Sequence, residues 1–182
     1  PVLAAMEHTG FAIDSTVLSD LNQQFTTRLD ELQHHIFELS GRSFNLNSPK
    51  QLGDVLFQDL GLSAGKKKAS GAYSTDAEEL DRLMDAHPVV PLIVEHRQLA
   101  KLRSTFLDGL SKMIDPADQR VHTTLNQAVT ATGRLSSTEP NLQNIPIRMS
   151  AGLQIRRAFV APPQYVLLDA DYSQIELRLL AH

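Results

Sequence analysis

Cysteine is absent from this chain, which excludes both a disulfide framework and a thiolate metal site and fits a reducing compartment. Tryptophan is absent as well. No apolar run approaches the roughly 20 residues of a membrane-spanning helix. Residues 1–10 lack the basic start and apolar centre of a secretory signal. A soluble, cytoplasmic protein is the expectation. There is no internal repeat and no low-complexity tract; the nearest thing to one is the run Lys66, Lys67, Lys68. What is present is enough apolar material for a core, 42% of 182 residues, sufficient for one domain or two small ones. The chain opens on Pro1 and stops at His182 inside a helical pattern, and it reads as a piece of something larger.

Positive charge is in short supply. The net charge of −4 argues against a general nucleic-acid binder, but its distribution is uneven. Residues 1–94 carry 7 Lys and Arg against 13 Asp and Glu, a net of −6, whereas residues 95–182 carry 10 against 8, a net of +2. Basic groups gather toward the C-terminal half.

Leu18, Leu21, Phe25, Leu29, Leu32, Ile36 and Leu39 recur at three and four residues, one stripe of a long helix entered at Asp14 or Ser15 and stopped by Gly41. Ser48-Pro49-Lys50-Gln51 combines a Ser cap with Pro at the first helical position, so a shorter helix starts there and ends before Gly61. Thr75-Asp76-Ala77-Glu78 reads as a second capping box. Between them, residues 62–74 form a loop too long and polar for a simple connection. After Pro88 another helix runs to about Met113, with Leu92, Leu99, Leu102, Phe106 and Leu110 as its apolar stripe. Arg97, Lys101 and Ser104 stand in a row on its opposite face, either an ordinary solvated face or a cationic contact strip. Asp115-Pro116 breaks the chain and residues 120–127 alternate like a strand. The boundary near residue 117 divides a helical arm, 1–117, from an α+β base, 118–182.

Residues 165–182 read YVLLDADYSQIELRLLAH, an apolar strand running through two acids into an amphipathic helix. Strand alternation places Asp169 and Asp171 on one edge. Paired carboxylates suit a hard cation such as Mg²⁺; a solvated strand end that caps the next helix would need the same residues. DYSQIELR, residues 171–178, resembles the first catalytic motif of family A DNA polymerases, the bacterial polymerase I type. TATGRLSSTEPNLQNIP, residues 130–146, resembles the stretch just upstream of that motif, and LQIRRAF, residues 153–159, lies between the two as expected. FNLNSPKQLGDVLF from Phe44 and KLRSTFLDGL from Lys101 resemble the family's thumb, so the likeness spans nearly the whole chain.

The resemblance implies an α+β fold, with a long-helix thumb arm (1–117) followed by a partial palm with antiparallel strands (118–182). It implies templated nucleotidyl transfer with primer–template DNA and dNTPs as partners, a monomer, and a two-Mg²⁺ site of which Asp171 and the Tyr172 carbonyl are part. The family's second catalytic acid and its lysine-bearing fingers helix lie downstream of these motifs, so the piece alone is expected to be inactive. Asp169 departs from the commoner family forms and reads as a supporting or solvated acid. Ser173, Gln174, Ile175 and Glu176 correspond to the nucleotide pocket, with Glu176 excluding a ribose 2′-hydroxyl; taken alone, Glu176 is an acid complementing a helix dipole. Arg178 reads as structural.

Arg134, Asn141, Gln143 and Asn144 are donors suited to the minor-groove acceptors common to all base pairs, and the family resemblance implies that Arg134 acts at the primer terminus; the amides could equally satisfy their own loop. Arg148, Arg156 and Arg157 are candidates for phosphates, one of the adjacent pair turning inward to an acid. Lys66, Lys67, Lys68, Ser70, Ser74 and Thr75, with Arg97, Lys101 and Ser104, suit sequence-independent phosphate contacts. Two other functions fit parts of the pattern. LLDADYS resembles the DxDx[ST] strand of haloacid dehalogenase-type phosphatases, and a non-catalytic DNA-binding module would keep the fold without the chemistry.

Overall fold

The computed structural model describes residues 1–65, 73–147 and 149–182. Lys66, Lys67, Lys68, Ser70 and Arg148 lie outside the described residues. Helix α1, Val2–Thr9, is followed by strand β1, Phe11–Ala12, and by α2, Ser15–Ser40. At 26 residues, α2 is about 39 Å long. Its ends form as the sequence leads one to expect. The Asp14 carboxylate accepts from Thr16 N at 2.9 Å and Val17 N at 3.3 Å, satisfying amides with no partner in the first turn. Gly41 closes the helix at φ 70°, a left-handed turn that costs glycine least. Leu18 through Ile36 are buried at the expected spacing, but Leu39 is exposed and Ser40 takes the buried position. Four residues beyond Ile36 the inward direction falls on Ser40.

Helix α3, Pro49–Asp54, is capped by Ser48 and continued by a π-helical turn, Val55–Asp59. The next cap sits one residue later than the expected capping box. Asp76, not Thr75, accepts from Glu79 N at 2.9 Å to start α4, Ala77–Arg82. The Asp76 carboxylate reaches that amide, while Thr75 is buried against Arg97. Helix α5, Val89–Leu102, has Pro91 in its first turn, where its missing N–H is harmless. A π-helical turn, Arg103–Leu107, joins it to α6, Asp108–Met113. Buried apolar residues along this rod are Val89, Val90, Ile93, Leu102, Phe106, Leu107 and Leu110, while Leu92 and Leu99 of the expected stripe are half-buried. The widened turn adds a residue, so Phe106 and Leu107 both face inward.

The expected strand over 120–127 forms as two pieces, β2, Arg120–Val121, and β3, Thr124–Asn126. β2 pairs antiparallel with β1, Phe11 opposite Val121; β3 pairs antiparallel with β4, Ser136–Thr138, with Leu125 opposite Ser137. Between the pieces Thr123 is buried, its hydroxyl 2.7 Å from that of Ser137 and bonded to the Pro140 carbonyl at 2.8 Å. The architecture is helix-rich with small antiparallel sheets. After a short 3₁₀ turn, Leu142–Asn144, helix α7, Ser150–Arg156, packs below α2. The main chain then returns to the start of the molecule, where Asp14 N donates to Ala158 O at 2.8 Å and Val160 N to Ala12 O at 3.1 Å.

Two cores share the long helices. One joins Leu18, Leu21 and Phe25 of α2 to Phe106, Leu107 and Leu110, and to Val121, Ile145 and Ile155 of the base. The other joins Leu32 and Ile36 to Leu52, Leu56, Leu80 and Ile93. Arg28 of α2 bridges the pair of helices midway, donating to both carboxylate oxygens of Glu95 at 2.7 and 3.0 Å.

A polar junction ties α1 to this base. His122 Nδ1 lies 2.8 Å from the Glu7 carbonyl and Nε2 lies 3.1 Å from Asp118 Oδ2. Bonding to the Glu7 carbonyl, and then to Asp118, raises the His122 pKa.

Leu32→Ala, at a position with no solvent exposure, is expected to destabilise the chain by about 2–5 kcal/mol in urea unfolding, and Leu39→Ala by no more than about 0.5 kcal/mol. Equal losses would mean that the α2 stripe is not oriented as described. For His122 the folded pKa lies above the unfolded one, near 6.5. Its contribution is therefore complete below about pH 6.5 and is lost as pH rises through the folded value. Melting temperature should fall across that window in the parent and lose this step in His122→Gln. A pH profile that is unchanged in the variant would remove the junction from the stability account.

Candidate functional site

The segment that leads into the expected catalytic motif forms no strand. Residues 165–172 belong to no strand, contrary to the expected strand, and Val166, Leu167 and Leu168 are 65–88% exposed. An isolated β-segment leaves its N–H and C=O rows unbonded, and no strand among the described residues runs beside it. The run into the helix is also broken. Ser173 and Gln174 make a turn, Gln174 in the left-handed region at φ 52°, before α8, Ile175–Ala181. Arg178 stabilises this entry by donating from Nε to the Ser173 carbonyl at 3.0 Å, the structural part expected of it.

Asp169, Asp171, Tyr172, Ser173, Gln174 and Glu176 are all exposed. Among the described residues the two aspartates join no group of three possible metal ligands. Such a group does occur elsewhere, where Asp115, Asp118 and His122 bring ligand atoms within 4.8 Å of one another at the α1 junction. In that junction Asp115 Oδ1 accepts from Ala117 N and Asp118 Oδ1 from Arg120 N, at 2.8 and 3.0 Å, so the acids also shape the turn.

The loop between β3 and β4 meets α8. Gly133 turns it at φ 75°, and Thr130 Oγ1 donates to the Arg134 carbonyl at 2.5 Å. The Arg134 side chain then reaches Glu176, Nη2 to Oε1, at 3.0 Å. Glu176's own main-chain N–H and, after it, Arg134 lower the carboxyl pKa. Sequence reading singled out both residues but not their contact, because 42 positions separate them.

The remaining candidates divide by what already occupies them. Asn141 Oδ1 accepts from Gln143 N at 3.0 Å, and Gln143 bridges Ser137 N and Leu135 O at 3.2 and 3.1 Å, so both brace their own loop. Asn144 is exposed. Arg156 is exposed and donates to the Ile145 carbonyl at 3.1 Å, so the expected inward turn of one of the pair to an acid does not form. Arg157 is exposed.

In the arm, Arg97 does not stand free in a row with Lys101 and Ser104. It is half-buried, bonding to the Thr75 carbonyl and, at 3.3 Å, to the Thr75 hydroxyl, and burial lowers its pKa. Lys101 and Ser104 are exposed. Ser74 and Thr75 are buried, so neither belongs to an exposed loop tip. The entrance to that loop is held by Glu79, which sequence reading missed. Its buried carboxylate accepts from Gly65 N at 2.8 Å and from Arg82 at 2.6 Å, and Arg82 above all lowers its pKa. An acid at the third helical position after Asp76 is the sequence signal that points to it.

The family model for DNA polymerase family A matches residues 15–182. DNA polymerase I of Synechocystis sp. is 52% identical over 182 residues, covering 100% of this chain and 18% of that protein. DNA polymerase I of Geobacillus stearothermophilus is 51% identical over the same span, which is 21% of its length. The chain thus spans about a fifth of these relatives. Among solved structures, the POL domain of Pol1 from M. smegmatis, in complex with DNA primer-template and dNTP, matches with a TM-score of 0.86 and 45% identity, over 99% of this chain and 32% of that one. On the match of 168 consecutive positions and on relatives sharing half of its residues, this chain belongs to DNA polymerase family A.

Proposed function

We propose that residues 1–117 are the thumb and residues 118–182 the first part of the palm of a DNA-directed DNA polymerase, acting in templated, Mg²⁺-dependent nucleotidyl transfer. The observation that carries this reading is the contiguous exposed segment from Asp171 to Glu176 at the entrance of α8, with Arg134 brought against it from 42 residues away. The haloacid dehalogenase reading needs a strand to present Asp169, and Asp169 lies in none; membership of the polymerase family sets it aside.

The donors fit a hard cation in part. The Asp171 carboxylate is exposed and the Tyr172 main-chain carbonyl adjoins it, both oxygen ligands of the kind Mg²⁺ takes, but among the described residues Asp171 joins no group of three possible side-chain ligands. Asp171 and the Tyr172 main-chain carbonyl would hold Mg²⁺, which would supply charge neutralisation at the transferring phosphoryl group. Glu176, on the first turn of α8, crowds the place of a ribose 2′-hydroxyl, with Ser173, Gln174 and Ile175 completing that wall. Arg134 donates to the minor-groove edge of the primer-terminal pair, where acceptors are nearly equivalent for every base. Asn141 retains its amide donor and Asn144 is exposed, so both are available to the same groove, whereas Gln143 acts mainly by holding the loop.

Lys101 and Ser104 contact phosphates from the arm, together with Lys66, Lys67, Lys68 and Ser70, and Arg148 does so from the palm part, while Arg97 bonds to Thr75. No helix among the described residues is long and apolar enough to cross a membrane; action on DNA as a cytoplasmic monomer is part of the proposal.

The 182-residue chain alone, given primer–template, Mg²⁺ and four dNTPs, is expected to incorporate nothing, since a full set of acids is lacking. Its duplex binding should be weak, indifferent to sequence and steep in salt, and Ala at Lys101 and Lys66 to Lys68 should flatten the salt slope. Steady primer extension, or an unaltered slope, would contradict the respective assignment. In a polymerase of full family length bearing this sequence, Asp171→Ala should abolish incorporation of dNTPs and rNTPs alike. Glu176→Ala should admit rNTPs more readily, lowering the dNTP-to-rNTP efficiency ratio; a parental ratio in that variant would leave Glu176 as an ordinary helix-start acid.

A further inference from the structure

The contact between Arg134 and Glu176 joins two residues that the proposed function assigns to different parts of the substrate. Its geometry sets how they relate. The Arg134 main chain is anchored through its carbonyl to Thr130 and turned by Gly133, so its side chain leaves the loop from a fixed point. The end of that side chain, Nη2, is what meets Glu176 Oε1. The same terminal donors are the ones that would meet an acceptor on a base edge. At 77% and 66% side-chain exposure both partners stand in water, where an ion pair is weak enough for another acceptor to displace. Arg178, the cation of α8 itself, is engaged with the Ser173 carbonyl.

We propose that Arg134 is a positioning residue for Glu176: the ion pair holds the Glu176 carboxylate in the DNA-free chain, and a primer end that takes Arg134 releases Glu176 to the incoming sugar. The sugar gate is then set only when a primer terminus is in place. This inference rests on the assignment of Arg134 to the primer end and Glu176 to the sugar. It adds that the two compete for each other before substrate binds. Because such coupling is reciprocal, DNA that takes Arg134 weakens the ion pair by the same factor by which the ion pair weakens the capture of DNA.

The test is a double-mutant cycle on the 182-residue chain, read as duplex affinity by fluorescence anisotropy with a labelled primer–template at fixed low salt. Glu176→Gln should tighten binding about two- to fivefold, the range of an exposed ion pair. In an Arg134→Ala background the same change should give no such gain. Asp169→Asn serves as the control for loss of a nearby negative charge, and its effect should be equal in both backgrounds. An equal gain from Glu176→Gln with and without Arg134 would reduce the effect to general electrostatics and overturn the coupling, as would no gain in either.

A second readout does not depend on DNA. The ¹³C shift of the Glu176 carboxyl should titrate below the ordinary Glu range in the parent and move up in Arg134→Ala. If that shift is seen while the affinities show no coupling, the pair exists without competing for DNA and the coupling fails, while the assignment of the two residues stands. If the parent binds no duplex even at low salt, the DNA-contact reading fails and the coupling with it.

Discussion

The packing of α2 along α5 is the constraint on which the rest of the chain depends. Each helix enters both apolar cores, α2 through Leu21 and Phe25 at one end and Leu32 and Ile36 at the other, α5 through Leu102 and Ile93. Burying such side chains contributes roughly 1.5–3 kcal/mol each, so the two rods are held along most of their length. The bidentate contact between Arg28 and Glu95 adds direction rather than much stability, since it is partly exposed. With the rods fixed, the arm's small helices have a surface to pack on. At the other end, the base has a wall against which Ile145 and Ile155 are buried.

From that wall the chain is led to its functional segment by main-chain bonds rather than by a large sheet. β1 is flanked by β2 on one side and by the bridge between Ile13 and Phe159 on the other. Phe11 and Phe159 meet edge to face with centroids 6.2 Å apart. Everything after residue 160 departs from this clasp. The motif that carries the most sequence information is therefore attached to the least packed part of the chain. Among the described residues, its side-chain hydrogen bond from outside the segment comes from Arg134, through an exposed ion pair.

The charge distribution acquires a meaning from these positions. Several cations that look available in the sequence are engaged in holding the fold: Arg28 on Glu95, Arg82 on Glu79, Arg97 on Thr75 and Arg156 on a carbonyl. Exposed Lys101 and Arg157 are not. A net negative protein can still offer a cationic face when some of its cations are structural and the remainder lie on particular surfaces.

Local order was determined by the sequence itself. The Asp14 and Ser48 caps, the Gly41 stop, the buried spacing from Leu18 to Ile36 and the order of the polymerase motifs all depend on neighbours within a few positions, where helical geometry leaves few alternatives. Tertiary structure decided the rest, because each remaining feature needs a partner that spacing does not name. Thr75 was drawn into the interior by Arg97, so the cap moved to Asp76. The widened turn at Arg103–Leu107 moved the apolar stripe. Residues 165–172 have a strand's pattern but no neighbouring strand to bond, and a strand's hydrogen bonds, unlike a helix's, must come from elsewhere in the chain. Arg134 and Glu176 were each legible as functional residues, but their contact exists only because the fold brings the loop after β3 to the first turn of α8.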